Sequence, residues 1–335
     1  MTLHLHGLGH FHPENEISNK LLEELDIGTD NDWIVERVGV RARRTVLPLD
    51  YIRQTKNADV RAAAEAALYT NAQLGARAAE LAIARAGIDR SRIGLVISGS
   101  SAPRVLCPAE AAFVAKELGL EVPAFDLNSA CTTFLAHLHH LCLMHPERLP
   151  EYVLIVQTET LTTAVDYSDR NTAVLFGDGA AAAVVSLRIP GRARVRYVNT
   201  QSSPAGADKV MILRTGYFVQ DGRAVQMFAI KRTREGYERI VEARRDDPEA
   251  ETRSLHFVGH QANLRVLEQV CARCGIAPDR HHANVELHGN TGGASAPSVL
   301  SMDWEKWGPH DDVAVSVVGG GLTWARAMLR FGGAA

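Results

Sequence analysis

The segment Phe125-Asp126-Leu127-Asn128-Ser129-Ala130-Cys131-Thr132-Thr133-Phe134 leads from an apolar strand through a turn of small residues into a helix. The pattern predicts a strand at 124–128 and a helix at about 132–144, with the cysteine at the start of the helix. Unpaired N–H groups and the positive end of the helix dipole favour a thiolate there, so we expect a thiol pKa below its free value of about 8.5. A buried, inert cysteine explains this segment alone equally well.

Short apolar runs alternate with longer Ala-, Leu- and Arg-rich runs on both sides of this segment, which is typical of an α/β protein. In the first half we predict helices at 72–86 and 109–118 and strands at 93–98, 152–158 and 180–186. The alternation restarts after residue 187, with strands predicted at 195–199, 254–259, 285–287 and 313–318 and helices at 232–244 and 263–274. We therefore predict two similar halves, 1–187 and 188–335. The polar stretch 41–68 is predicted to be irregular, a surface insertion or lid.

The composition argues against several classes of protein. With 335 residues, 46% of them hydrophobic, the chain can bury the core of two packed halves. The net charge of −3 gives no general attraction to nucleic acids or anionic membranes. There is no signal peptide and no apolar run of the roughly 20 residues that a membrane helix needs, so we expect a cytoplasmic protein. Five dispersed cysteines, an odd number, do not form a disulfide framework.

Two later segments place polar side chains after predicted strands. His260 lies in Phe-Val-Gly-His-Gln-Ala-Asn (257–263), and Asn290 lies in Leu-His-Gly-Asn-Thr-Gly-Gly (287–293). Because strand ends of an α/β sheet share one crevice, Cys131, His260 and Asn290 can meet there. Taken singly, a satisfied loop histidine and a turn asparagine are the simpler explanations. Gly319-Gly320-Gly321 can present N–H donors to a developing oxyanion, or form only a tight turn.

Together these motifs resemble the β-ketoacyl-acyl-carrier-protein synthase III family of the thiolase superfamily, over nearly the whole chain. The matching pieces also include Asp-Trp-Ile-Val-Glu-Arg (32–37) and Leu-Phe-Gly-Asp-Gly-Ala (175–180). The resemblance implies an α/β thiolase fold of five layers, αβαβα, built from two pseudo-symmetric halves, and a homodimer. It also implies a cytoplasmic acyltransferase without a permanently bound cofactor, served by coenzyme A or acyl-carrier-protein thioesters.

The resemblance also assigns roles to individual residues. Cys131 would carry the acyl group, His260 and Asn290 would complete the triad, and the N–H groups of Cys131 and Gly320 would form the oxyanion hole. Contacts with coenzyme A are implied for Trp33, Arg37, Arg170, Gly222 and Asn263. Arg265 would help to engage an acidic carrier protein.

Departures from the family pattern favour a branch of specialised metabolism that makes pyrones, dialkylresorcinols or quinolones. Thr132-Thr133 stand where housekeeping members usually have small residues, and Gln226 stands where they have an aromatic residue beside the tunnel. We therefore expect a reshaped acyl pocket. The cap near 45–70 is longer than in short housekeeping synthases. Some relatives of that branch need an extra carboxylate base; Glu110 is the candidate here, with an exposed helix-start acid as the simpler explanation.

Other functions stay open. The chain could be a housekeeping synthase that starts fatty-acid synthesis, an acyltransferase to a hydroxyl or amine, or a non-catalytic subunit that holds a chain. Because the sequence keeps all three triad residues, Cys131, His260 and Asn290, carbon–carbon bond formation is favoured over transfer to a hydroxyl or amine. We expect no metal site, because Cys271 and Cys274 lack a second cysteine pair at zinc spacing. Only some pairs of the histidines at 137, 139, 140 and 145 share a helical face, and no carboxylate accompanies them, so we expect a solvated or interfacial face there.

Overall fold

The computed structural model describes residues 2–332. Its strands are β1 (His4–Phe11), β2 (Asn15–Ser18), β3 (Ala42–Thr45), β4 (Ile93–Gly99), β5 (Ala124–Asp126), β6 (Tyr152–Glu159), β7 (Gly179–Ser186), β8 (Ala193–Ser202), β9 (Val210–Ile212), β10 (Phe218–Gln220), β11 (Ser254–Gly259), β12 (His281–His282), β13 (Asp311–Gly319) and β14 (Thr323–Phe331). Its α-helices are α1 (Asn19–Glu24), α2 (Asn31–Val38), α3 (Leu49–Thr55), α4 (Val60–Ala66), α5 (Asn71–Ala86), α6 (Glu110–Glu117), α7 (Thr133–Cys142), α8 (Arg170–Ala173), α9 (Gly222–Arg244), α10 (Leu264–Cys274), α11 (Val285–His288) and α12 (Ser295–Met302).

Ten strands form one mixed sheet whose two halves repeat the same order. The first half runs β5-β4-β6-β7-β1 and the second runs β12-β11-β13-β14-β8 from edge to centre, with the same parallel and antiparallel pairings. The halves join where β1 pairs with β8 through His4 and Leu5. The boundary predicted at residues 187 and 188 falls between β7 and β8.

Helices cover the sheet in layers, because the strands of both halves carry apolar side chains on both faces. One core holds α7 and α12 between the two half-sheets, with Phe134, Leu138 and Leu300 in it. A second core packs α5 and α6 on the outer face of the first half, and a third packs α9 and α10 on the outer face of the second. The order of layers is therefore αβαβα.

The cap segment differs from the prediction, because 41–68 is largely regular rather than irregular. It contains β3, which pairs with β2, followed by the short helices α3 and α4. Asp59 caps α4 by accepting from the N–H groups of Arg61 and Ala62. Helices of seven residues show too few turns for a 3.6-residue period to be visible in the sequence.

The strand predicted at 285–287 is wrong, because these residues belong to helix α11. The place beside β11 is taken by β12 instead. The Gln261 side chain accepts from the N–H groups of Asn284 and Val285, which fixes the start of the helical turn. A three-residue apolar run does not distinguish a strand from a helix.

Replacing Gly9 of β1 with alanine is expected to lower the free energy of unfolding by about 3 kcal/mol, because overpacking forces backbones apart. A Cβ there would lie 1.9 Å from the Ala78 carbonyl oxygen and 2.6 Å from Ala82 N in α5. Urea denaturation measures the change. The control is Gly308→Ala, whose Cβ would meet only Asp311 Oδ2 at 3.5 Å. Equal stabilities of the two variants would contradict this account of the β1–α5 contact.

Candidate active site

Cys131 lies in a sharp turn between β5 and α7. It is the middle residue of the 3-10 turn Ala130–Thr132, and α7 begins directly after this turn, at Thr133. Ala130 adopts a left-handed conformation, with φ of 48°, and its N–H donates to Asn128 Oδ1 at 3.0 Å. This strained turn leaves the Cys131 side chain half-buried rather than sealed in the core.

Two threonines brace the turn. Thr132 Oγ1 donates to the Ser129 carbonyl oxygen (2.7 Å), and Thr133 Oγ1 donates to that of Ala130 (2.6 Å). Both threonines are buried. They hold the backbone around the cysteine, so they act on its position and do not line its pocket.

A cavity of about 250 Å³ opens on Cys131. We call it the Cys131 cavity; its walls include Ser101, Asn128, Leu161, Phe176, Ile212, Phe218 and Gly320. Neither threonine nor Gln226 lines it, and a reshaped acyl pocket stays a prediction. Its apolar walls with few polar groups suit a small organic ligand.

The end of β13 comes very close to the cysteine turn. A Cβ on Gly319 would lie 3.0 Å from Cys131 N and 3.2 Å from Thr132 N, so a side chain there would push the cysteine turn away by a few tenths of an ångström. The N–H groups of Cys131 and Gly320 lie near enough to the sulfur to favour its charged form. They form a pair of donors at the place where a bond to the sulfur would form.

The prediction of a lowered thiol pKa is wrong for this structure. Burial, and to a smaller extent the nearby Glu159 carboxylate, raise the pKa of Cys131 to about 12. The N–H groups of Cys131 and Gly320 oppose the shift without cancelling it. The resting sulfur is therefore a protonated thiol, which needs a base when it attacks.

Asn290 follows α11 rather than a strand, and its backbone bonds to the segment around Phe176, which lines the Cys131 cavity, although Asn290 itself does not line it. Its N–H donates to the Leu175 carbonyl oxygen (2.8 Å), and its own carbonyl oxygen accepts from Gly177 N–H (3.1 Å), on either side of Phe176. The side-chain Oδ1 accepts from Gly292 N–H at 2.9 Å. Nδ2 donates to no group within residues 2–332 and is free for a ligand.

His260 directly follows β11, as predicted. Its N–H donates to the Ser316 carbonyl oxygen of β13 (3.1 Å), and its Nδ1 contacts the Ser295 hydroxyl at 3.3 Å. Nε2 has no hydrogen-bond partner in the described part of the chain. Burial lowers the pKa of His260 to about 4, so the imidazole is neutral near pH 7. Because a hydroxyl both donates and accepts, Ser295 is compatible with either tautomer.

The turn that follows Asn290 also contacts the cysteine turn. A Cβ on Gly293 would lie 3.1 Å from the Ala130 carbonyl oxygen. The described contacts therefore link the Asn290 segment and the β13 end to the Cys131 turn, and Ser295 links His260 to the same segment.

Glu159, at the end of β6, is a site residue that the sequence reasoning missed. Its Oε1 accepts from Gly293 N–H (2.9 Å) and the Ser101 hydroxyl (3.1 Å), and its Oε2 accepts from Ser101 N–H (2.9 Å). Burial raises its pKa to about 7, the three donors oppose that shift, and Asp178 adds to it. This carboxylate ties the turn after Asn290 to a wall of the Cys131 cavity. Its position at the end of a predicted strand was a usable signal.

Replacing Glu159 with glutamine is expected to speed alkylation of Cys131 by iodoacetamide, by roughly tenfold at pH 8 to 9. The ionised carboxylate raises the thiol pKa, and glutamine carries no charge. Below pH 7 Glu159 is itself mostly protonated, so the two proteins should differ less there. The measurement is the alkylation rate against pH for both proteins, by intact mass. A rate ratio that stays constant with pH indicates a purely structural role.

Comparisons with known proteins agree with this geometry. Residues 125–204 match the family model described as 3-oxoacyl-(acyl-carrier-protein) synthase III, and residues 252–331 match the model of its C-terminal part. A β-ketoacyl-(acyl-carrier-protein) synthase III of Oceanobacillus iheyensis is 30% identical, over 99% of this chain and 100% of the relative. The chain belongs to the 3-oxoacyl-(acyl-carrier-protein) synthase III family. It is thus a condensing acyltransferase with the thiolase fold.

Solved structures of the synthase III family superpose on the whole chain. The enzyme from Thermus thermophilus gives a TM-score of 0.84 at 30% identity, covering 99% of this chain and 100% of that one. The priming β-ketosynthase of the R1128 polyketide pathway gives 0.77 at 26% identity, covering 99% and 97%. The fold expected from the resemblance is confirmed.

Three of the residues that the family resemblance links to coenzyme A lie together on the surface. The Trp33 ring is contacted by the guanidinium groups of Arg37, at 5.0 Å, and Arg170, at 5.1 Å. Both arginines are exposed, and Trp33 is half-buried. An aromatic ring with two cations beside it suits an adenine ring and phosphates.

The other positions carried over from the synthase III family have different surroundings. Asn263 caps α10, its Oδ1 accepting from the N–H groups of Arg265 and Val266. Gly222 is exposed at the start of α9. Arg265 donates to the carbonyl oxygens of Val35 and Glu36 and pairs with Glu268 at 2.8 Å. Its guanidinium is therefore engaged within the chain, and contact with a carrier protein stays a prediction.

Glu110 is not the exposed helix-start acid expected as the simpler explanation, because it is only 3% exposed. Burial and the neighbouring Asp126 raise its pKa to about 7, opposed by the Ala72 N–H and by Arg104. It does not line the Cys131 cavity. A role as an extra base stays a prediction.

Of the four histidines expected on a solvated or interfacial face, His137 departs from the prediction, whereas His139 and His140 are half-buried and His145 is exposed. His137 is fully buried, its Nε2 contacting the Leu127 carbonyl oxygen at 2.7 Å and its Nδ1 the Gln157 amide at 3.0 Å.

Over residues 2–332, no group of three or more His, Cys, Asp and Glu side chains is arranged to hold a metal ion. In the same range, no helix combines the length and apolar character needed to cross a membrane.

Proposed function

We propose that this chain loads an acyl group on Cys131 as a thioester and joins it to a second acyl thioester by a Claisen-type condensation. The observation that carries the proposal is the half-buried thiol that lines the Cys131 cavity together with Gly320 at the end of β13. No other cysteine lines this cavity.

In the first half-reaction the Cys131 sulfur attacks the carbonyl carbon of an acyl thioester. The developing oxyanion accepts hydrogen bonds from the N–H groups of Cys131 and Gly320. Because the thiol is protonated at rest, its proton leaves as the bond forms, and we assign it to His260 Nε2 when Ser295 accepts from Nδ1. The departing thiolate takes up that proton, so the step is balanced.

In the second half-reaction His260 and Asn290 act as hydrogen-bond donors. Rotation of the Ser295 hydroxyl lets Nδ1 accept, so that Nε2 carries the proton. Nε2 of His260 and Nδ2 of Asn290 then donate to the thioester oxygen of the second substrate and stabilise the enolate that forms as a malonyl thioester loses carbon dioxide; a β-ketoacyl thioester would instead lose an α-proton to a base. The enolate carbon attacks the acyl-Cys131 carbonyl, and Cys131 leaves as a thiolate that takes up a proton from solvent.

We propose coenzyme A and acyl carrier protein as the carriers of the two acyl groups, and a homodimer as the working form. The Trp33, Arg37 and Arg170 cluster would bind the nucleotide end of coenzyme A, and Gly222 and Asn263 would contact the pantetheine arm. Arg265 would engage the carrier protein. The printed names of the curated relatives support a carrier-protein substrate.

Two versions of this function differ in the second substrate. The named relatives favour a housekeeping synthase III that starts fatty-acid synthesis. The likeness to the R1128 priming ketosynthase and the cavity beside the cap favour a role in polyketide or other specialised metabolism. The first version requires decarboxylation of a malonyl thioester, whereas the second allows a β-ketoacyl thioester.

The experiment is intact-mass analysis after incubation with acyl-CoA, followed by addition of malonyl or β-ketoacyl thioesters on coenzyme A or carrier protein. Products with loss of carbon dioxide from malonyl thioester support the first version. Products that keep all carbon atoms of the loaded acyl group and of a β-ketoacyl thioester support the second version. Transfer to a hydroxyl or amine acceptor would identify an acyltransferase, and absence of any adduct would identify a non-catalytic subunit.

A further inference from the structure

A second cavity, of about 360 Å³, adjoins the Cys131 cavity. Ser101 and Ile212 line both, so these two residues stand between the two spaces. We call it the arginine cavity, and its walls include Val60, Arg61, Ala64, Arg104, Leu213 and Arg214. One wall is therefore helix α4, so the cap segment lines a cavity that adjoins the Cys131 cavity.

The lining of the arginine cavity combines apolar and cationic groups. Val60, Ala64, Ile212 and Leu213 provide apolar surface, and three arginines, at 61, 104 and 214, provide positive charge. No aspartate or glutamate lines it. Such a space suits an apolar chain that ends in an anion.

These three arginines are exposed, and none of them makes an ion pair or a side-chain hydrogen bond within residues 2–332. Most other arginines of the described chain do pair with carboxylates, and the net charge of the protein is −3. Glu110 lies within electrostatic range of Arg104 but does not line the cavity. Three cations that share one space repel each other, and a bound anion relieves that repulsion.

We propose that the arginine cavity receives the far end of the acyl group carried on Cys131, and that it selects acyl chains ending in a carboxylate. The substrate class is the monothioester of a dicarboxylic acid. The chain passes the neck at Ser101 and Ile212, lies on the apolar wall, and places its terminal carboxylate among the three guanidinium groups. This inference rests on the proposed function, since it requires acylation of Cys131.

The test compares acylation of Cys131 by length-matched thioesters, adipoyl-CoA against hexanoyl-CoA and suberoyl-CoA against octanoyl-CoA. Each pair shares the coenzyme A part, so a difference within a pair reports only on the chain end. We expect the carboxylate member to react with a kcat/KM roughly tenfold higher or more in at least one pair, as charge-assisted hydrogen bonds allow. Intact mass gives the rate.

The variants are Arg61→Gln, Arg104→Gln, Arg214→Gln and the triple substitution. We expect the triple variant to lose the preference while its rate with the neutral chain changes less than about threefold. Arg148→Gln, an exposed arginine that does not line the cavity, is the matched control and should keep the preference.

Three results would overturn the proposal. The first is an absence of preference in every pair, and the second is a preference that survives the triple substitution. The third is an equal loss for both members of a pair, which would assign the arginines to the coenzyme A phosphates. In all three the proposed function still stands, because Cys131 is acylated. If no thioester acylates Cys131, the proposed function itself fails, and this inference fails with it.

Discussion

Cys131→Ala is expected to eliminate the acyl-enzyme and to lower condensation by at least about 10³-fold, because the only thiol at the cavity is removed. The fold should survive. The side chain is half-buried, and loss of one sulfur atom there costs on the order of 1 kcal/mol of unfolding free energy. Intact mass after incubation with acyl-CoA measures the adduct, and urea denaturation measures stability.

The matched control for this substitution is Cys142→Ala. Cys142 is half-buried at the end of α7, the helix that follows Cys131, but it does not line the cavity. This variant should be acylated like the parent protein. An adduct that persists in Cys131→Ala, or that disappears in Cys142→Ala, would place the nucleophile elsewhere.

Asn290→Ala is expected to separate the two half-reactions. Acylation of Cys131 should stay within about threefold of the parent rate, because the oxyanion donors of that step are backbone groups. Condensation should fall about 10²- to 10³-fold, the usual cost of removing one donor to a developing oxyanion. Single-turnover acylation by mass and product formation by chromatography measure the two steps separately.

Asn290→Asp tests the same role with less structural change. Its carboxylate can still accept from Gly292 N–H, the 2.9 Å bond that orients the side chain, but it offers no donor in place of Nδ2. Condensation should therefore be lost as fully as in the alanine variant. If either variant condenses at the parent rate, Asn290 is not the enolate donor.

Several site residues can be predicted from the sequence, because they follow a predicted strand directly or through a short turn of polar or small residues. This pattern correctly located Cys131 at a helix start and His260 after β11, because such ends meet at one edge of an α/β sheet. Glu159 shows the same pattern, because it directly follows the strand predicted at 152–158. Asn290 was found by its motif, although the strand predicted before it is helix α11.

The state of the thiol could not be predicted from its local sequence. A helix start lowers a thiol pKa, and that local effect is present in the N–H groups of Cys131 and Gly320. Burial and Glu159 outweigh it, and both arise from residues distant in the chain. Desolvation depends on everything that packs around the sulfur, which no window of sequence contains.

By itself the sequence determined the α/β class, most helices and strands, and the residue types of a thioester nucleophile with two side-chain donors, because periodicity and short motifs are local properties. Only the tertiary structure decided which atoms of those side chains are anchored and which are free, and that Glu159 ties the Asn290 turn to the Cys131 cavity. It also decided that the cap wall and three unpaired arginines enclose a second space beside the cysteine. Cavities and pKa shifts arise from contacts between segments far apart in the chain, so they exist only once the chain is folded.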